Sequence, residues 1–140
     1  PVVVAGCVAE EVTRATDATT VRNTAWESGI GTSIAAGVRA VEERASSITI
    51  MTCDQHRIGA DELTELARRH ADYDIAAANY ASVVGVPARF GPACFRALQE
   101  LESDVGAQEL IRNGEFRVVS VPMNGARYDI DEPADLEELP

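Results

Sequence analysis

Residues 47–81, "SITIMTCDQHRIGADELTELARRHADYDIAAANYA", decide how the chain is read. The opening run "SITIMTC" (47–53) is β-branched and apolar, the pattern of a buried strand. "GADELTELARRHADY" (59–73) sets Leu63, Leu66 and Ala67 at helical spacing, which predicts a helix with those three facing inward. "DIAAANYA" (74–81) is a second strand. The same alternation extends outward from this segment. Upstream, "PVVVAGC" (1–7) reads as a buried strand, "AEEVTRATD" (9–17) as a weak helix and "TTVRN" (19–23) as a short strand. From Thr32 a helix is expected, with Ile34, Val38 and Val41 on one side and Arg39, Glu42, Glu43 and Arg44 on the other. Downstream, "SVVGVPARF" (82–90) is an extended loop or hairpin. "GPACFRALQELE" (91–102) is a helix with Pro92 in its first turn. Ser103 and Asp104 are placed to cap a short helix, "VGAQELIRNG" (105–114), that stops at Gly114. "FRVVSVPM" (116–123) is a strand, and "YDIDEPADLEEL" (128–139) is a strand end entering a last helix capped by Asp131. Alternating strands and helices imply an α/β fold with a mostly parallel sheet. At 140 residues the chain fits one domain, 1–140.

Composition narrows the partners. The net charge is −11, and all twelve basic residues are Arg. Such a surface repels phosphate polymers, so a nucleic-acid partner is not expected. A small anion remains compatible where a local site or a divalent cation reverses the field. No apolar run approaches 18 residues, so no membrane span is expected. The apolar start lacks the basic flank of a signal peptide. Three widely spaced cysteines (Cys7, Cys53, Cys94) suit a reducing, cytoplasmic setting rather than a disulfide framework.

In parallel α/β sheets, ligands collect beyond the carboxyl ends of the strands. Asp54 falls there after "ITIMTC", and Asp129 and Asp131 fall at a second junction, "YDID". Two readings stand: each Asp caps the next helix, or carboxylates from two strand ends share one Mg²⁺ with substrate phosphates. Cys53 and His56 have a metal-compatible spacing, but a zinc site needs about four ligands and the only other His is His70. "NTAWESGIGTSIAAG" (23–37) also has two readings: a helix capped by Thr32 or Ser33, or a ligand-binding loop leading into a helix N-terminus. Arg57, Arg89 and Arg127 lie near these motifs in sequence, as phosphate contacts or as exposed solubilising residues.

Taken together, four pieces resemble the molybdenum cofactor cytidylyltransferase branch of the MobA-like nucleotidyltransferases. They are N-x-x-W-x-x-G-x-x-x-S (Asn23, Trp26, Gly29, Ser33), Asp54-Gln55 with His56 where the family has Pro, G-x-P-x-x-F (Gly85, Pro87, Phe90) with D-x-G following (Asp104, Gly106), and the closing D-I-D-x-P-x-D-L (Asp129 to Leu136). The resemblance covers about residues 20–140. It implies a three-layer Rossmann-like nucleotidyltransferase fold and transfer of a nucleotidyl group, typically CMP from CTP, to a molybdopterin phosphate, with release of pyrophosphate and a requirement for Mg²⁺. It implies Asp54 as catalytic residue and metal ligand, with Asp129 and Asp131 as further metal ligands. Nucleotide or substrate contacts would come from Trp26, Gly29, Gly31, Ser33, Gln55, Gly85, Pro87 and Asp104. The chain departs from the family in lacking the Gly-rich phosphate loop, roughly G-G-x-S-x-R-x-G, and the Lys that follows it. "PVVVAGC" matches the family's second strand, so a first strand is expected to be missing. Its neighbours would then present open edges, favouring self-association. On this reading, residues 1–140 alone are expected to be catalytically dead, or nearly so. The alternative is a non-catalytic nucleotide-binding or assembly relative.

Overall fold

A computed structural model describes residues 1–68 and 72–130. Its elements follow in chain order: β1 (Val2–Ala5), α1 (Ala9–Ala15), β2 (Thr19–Arg22), α2 (Ile30–Val41), β3 (Ile48–Ile50), α3 (Ala60–Arg68), β4 (Ile75–Tyr80), β5 (Val83–Phe90), α4 (Phe95–Gln99), α5 (Gln108–Arg112) and β6 (Val118–Pro122).

The central strand is β4, whose first four residues, Ile75 to Ala78, are fully buried. Successive side chains on a strand point to opposite faces, and here each face meets its own core. Ile75 and Ala77 pack with Phe90, Val38 of α2, Leu98 of α4 and Leu110 and Ile111 of α5. Ala76 and Ala78 pack with Leu66 of α3 and with Val121, Met123 and Ala126. Helices therefore cover both faces, giving three layers. Burying Phe90, Leu66, Ile75 and Leu98 contributes about 1.5–3 kcal/mol each.

The strands form two sheets. The larger has the order β3-β5-β4-β6, and the smaller pairs β1 with β2 in parallel. In the larger sheet β4 and β6 run parallel, while β5 runs antiparallel to both β3 and β4. So β3, β4 and β6 share one direction and β5 is the reversed strand. Helix α2 packs on both sheets: Gly37 lies against Val4 of β1, while Val38 and Ile34 join the core of the larger sheet.

The 82–90 segment is the second arm of a β4–β5 hairpin, whose two-residue turn holds Ala81 and Ser82 at φ of 46° and 68°. Register breaks between Ala77, opposite Ala88, and Ala78, opposite Gly85, so Val86 and Pro87 are extra residues on β5. The Val86–Pro87 peptide is cis.

Several elements differ from the sequence expectation. Helix α2 starts at Ile30, two residues early, after a 3₁₀ turn over Trp26–Ser28. Leu66 is buried, Leu63 half-buried and Ala67 exposed, so the inward stripe of α3 is narrower than its spacing suggested. The 91–102 helix resolves into a 3₁₀ turn at Pro92–Cys94 and the short α4. Ser103 and Asp104 do not cap α5. That helix begins after Ala107 without a side-chain cap, and Ser103 instead occupies the left-handed region at φ 54°. The expected final helix, with Asp131 as its expected cap, falls outside the described residues. No helix among the described residues is long and apolar enough to cross a membrane.

Candidate functional site

The predicted site residues fall into two groups. The first surrounds the entry to α2. Asn23 is 5% exposed. Its Nδ2 donates to Thr32 Oγ1 and Ser33 Oγ, both at 2.9 Å, and its Oδ1 accepts from the Ala25 amide at 3.0 Å. Its own amide donates to Ala5 O at 2.9 Å, tying the loop to the end of β1. Gly29 has φ 109°, and a Cβ there would collide with the Ser103 backbone. A Cβ on Gly31 would come within 2.8 Å of the Glu102 and Val105 carbonyls, and the Gly31 amide donates to Ser103 O at 2.9 Å. The close backbone approach these glycines permit is thus to the chain's own 102–105 turn. Trp26 lies over Gly6, where a Cβ would stand 2.5 Å from the indole Cγ. The indole is 41% exposed. Asp104, in the same turn, is exposed. Trp26, Gly29, Gly31, Ser33 and Asp104 are therefore brought together around one loop.

The second group forms where β3, β4 and β6 end. Asp54 does not cap α3. Glu62 Oε2 performs that task, accepting from the Gly59 amide at 2.9 Å. Three consecutive residues instead bring polar atoms into the interior without a partner: Asp54 Oδ1, Gln55 Oε1 and His56 Nδ1. Buried polar groups are nearly always paired, so three in succession call for an explanation. Gln55 is also the clasp that builds the site. Its Nε2 donates to Val86 O and to Ala126 O, both at 3.1 Å. The first acceptor is available because Val86 belongs to the irregular stretch of β5, and the second comes from the turn after β6. Gly125 of that turn sits so close to Arg57 O that a Cβ would approach it to 2.6 Å. The loop after β3 and the turn after β6 are thereby locked together.

Tyr80, the last residue of β4, completes this end. Its hydroxyl donates to Val86 O at 3.2 Å. Burial, then the carboxylates of Asp129 and Asp54, push its phenol above the ordinary value. Both carboxylates thus bear on one phenol. Arg57 stands 4.2 Å and Arg127 4.9 Å from the centre of the Tyr128 ring.

Gly85 and Pro87 are buried. A Cβ on Gly85 would meet the Gln108 side chain, whose Nε2 donates to Val84 O at 2.6 Å. The stretch from Ser103 to Gln108 therefore touches both groups, the α2 entry at Gly29 and Gly31 and the strand-end group at Val84 and Gly85. Arg89 is not at this end. It pairs with Ala76 near the start of β4, 7% exposed, with Nη1 3.5 Å from Tyr73 O. No set of three His, Cys, Asp or Glu side chains among the described residues is grouped to cage a metal. A divalent ion such as Mg²⁺ needs only one or two carboxylates when substrate phosphates supply further ligands. The unpaired Asp54 Oδ1 is free to be one such ligand.

Sequence reasoning named Arg57 and Arg127 as phosphate contacts or exposed residues but missed Tyr80 and the Tyr128 ring that joins the two Arg. Tyr80 was detectable as the last residue of a predicted strand, at the same end as Asp54.

Residues 1–119 match the MobA-like NTP transferase domain family. No curated protein gave a significant match. Among solved structures, an Rv0371c homolog from Mycobacterium sp. strain JC1 superposes with a TM-score of 0.80 at 27% identity, covering 98% of this chain and 71% of that one. Rv0371c from Mycobacterium tuberculosis in complex with manganese gives 0.78 at 24%, covering 98% and 74%. Molybdopterin-guanine dinucleotide biosynthesis protein A from Archaeoglobus fulgidus gives 0.66 at 17%, covering 96% and 75%. The last two likenesses concern the fold.

Proposed function

The chain belongs to the MobA-like NTP transferase family and is a nucleotidyltransferase, and from that premise we propose that it moves CMP from CTP to the phosphate of a molybdopterin-type acceptor. An acceptor phosphate oxygen forms a bond to the α-phosphorus while the bridging bond to the β-phosphate breaks, and pyrophosphate leaves with the electron pair. The observation that carries the reading is the run of unpaired buried atoms on Asp54, Gln55 and His56 at the strand ends. A ligand or ion that supplies partners to these three atoms would account for them.

Asp54 and Asp129 would hold the divalent ion, and Asp131, in the same motif, would assist. The ion supplies charge neutralisation on the nucleotide phosphates. The Mycobacterium tuberculosis Rv0371c structure is a complex with manganese, in line with use of a divalent ion. The chain's other groups position. Gln55 holds the two loops at a fixed separation, and Tyr80 stays a neutral hydrogen-bond donor because burial, then the neighbouring carboxylates, oppose its ionisation. Trp26 offers an exposed ring on which a base can stack, and Ser33 a hydroxyl at the start of α2. The glycines 29 and 31, with Asp104, act by shaping that loop.

Mn²⁺ binding in the presence of CTP, read by paramagnetic relaxation, tests the metal assignment. Asp54→Asn is expected to weaken it at least about tenfold; equal affinity removes Asp54 from the site. Pyrophosphate release with CTP and molybdopterin, against GTP in its place, tests the substrates. Faster release with GTP overturns the choice of nucleotide.

A further inference from the structure

The leaving pyrophosphate and the acceptor phosphate both carry negative charge that the reaction must accommodate. The sequence contains no Lys, so Arg is the only permanently charged side chain able to meet it. Two of the twelve Arg stand at the site. Arg57 follows the Asp54–His56 run, and Arg127 lies two residues before Asp129.

Their arrangement is specific. Both guanidinium carbons approach one Tyr128 ring, at 4.2 and 4.9 Å from its centre, so they lie within about 9 Å of each other. Arg57 is further fixed by its Nε, which donates to His56 Nε2 at 3.2 Å, and by its carbonyl seated against Gly125. That leaves its terminal nitrogens free. Both Arg are exposed, and neither has a carboxylate within ion-pair distance among the described residues, in a chain with 23 acidic residues. Two like charges held near one ring and unpaired with any described carboxylate suit an anionic ligand that bridges them. In a charge-assisted bidentate pair the guanidinium carbon lies about 4 Å from the phosphorus, so a phosphate between two such groups spans about 8 Å. The permitted separation accommodates that span.

We propose that Arg57 and Arg127, carried by Tyr128, form a phosphate-binding clamp on the rim of the Asp54–Asp129 site. The proposal rests on the nucleotidyl-transfer reading for the origin of the phosphate, which is either the leaving pyrophosphate or the acceptor's phosphomonoester. Tyr128 is a positioning residue: its ring contacts both guanidiniums.

The test titrates inorganic pyrophosphate and, separately, glycerol phosphate into the protein with and without Mg²⁺, by calorimetry. Wild type is expected to bind at least one of them, and the Arg57→Ala/Arg127→Ala double variant at least about tenfold more weakly. Tyr128→Phe, which keeps the ring, is expected to bind like wild type, and Tyr128→Ala to lose most of the affinity. Preference for pyrophosphate identifies the leaving group as the source, and preference for glycerol phosphate identifies the acceptor. Wild-type affinity for both anions in the double variant overturns the clamp. Because these titrations need neither CTP nor turnover, that failure is distinct from failure of the transfer reading. In the latter case Mn²⁺·CTP binding or pyrophosphate release is lacking while the clamp still binds phosphate.

Discussion

The loop that enters α2 and the loop that leaves β3 are built to opposite specifications. At the first, every polar atom of the buried Asn23 side chain is hydrogen-bonded, and both glycines are spent on contact with the 102–105 turn. At the second, three consecutive buried polar atoms have no partner. A satisfied buried network rigidifies, whereas an unsatisfied one costs stability until a ligand supplies what is missing. The Asn23 network is therefore framework, and the loop after β3 carries the unsatisfied groups.

Gly29→Ala tests the framework most severely. It imposes a Cβ at φ 109° and drives it into the Ser103 backbone, so a loss of about 3 kcal/mol or more is expected in urea unfolding. Wild-type stability in this variant would show that the turn moves aside and that the loop is not framework. A paired experiment sharpens the contrast. Asn23→Ala removes three hydrogen bonds and leaves polar partners stranded, which should cost about 2 kcal/mol while leaving Mn²⁺ affinity intact. Asp54→Asn should do the reverse, with stability unchanged or raised by up to about 1 kcal/mol because it removes the charge from a half-buried carboxylate whose Oδ1 has no partner. Equal destabilisation by the two substitutions would erase the distinction between the loops.

The smallest effect calibrates both against a buried group remote from either. Burial, then the Asp74 carboxylate, pushes the Cys94 thiol from 9.0 to about 11. A thiol with a raised folded-state pKa contributes stability that is complete below pH 9 and is lost as pH rises toward 11, about 1 kcal/mol by pH 10. Cys94→Ala should flatten that part of the alkaline decline. In the native protein a thiol reagent at neutral pH should modify the exposed Cys7 and Cys53 and spare Cys94. A third fast-reacting thiol would contradict the burial.

What the sequence disclosed was governed by distance along the chain. The β4 run "IAAA" is apolar over consecutive positions, which is how a strand buried on both faces must read, and Asp54 is the first acidic residue past a β-branched run. Both were legible locally. The partner of Gly29 was not: a glycine announces that something approaches closely, and the approaching turn is more than 70 residues away. The same applies to Arg57 and Tyr128, and to Gln55 reaching Ala126. Arg89 was misplaced for a different reason. It follows Gly85 and Pro87 in sequence, but β5 runs opposite to β4, so four residues further along that strand lead away from the site. Ser103 and Asp104 carry the chemistry of a helix cap, yet the turn they occupy is committed to packing against α2.

The carbonyl of Val86 has two claimants. In a regular ladder it would belong to the sheet, and the two extra residues on β5 release it to Gln55 and Tyr80 instead. A length change in β5 is therefore unlike one in an ordinary surface loop. Deleting two residues there would let the ladder run on, and the gain in backbone pairing would be drawn from the bonds that hold the two strand-end loops together. For this segment, selection on chain length is selection on the site: a shorter hairpin is a better sheet and a worse enzyme.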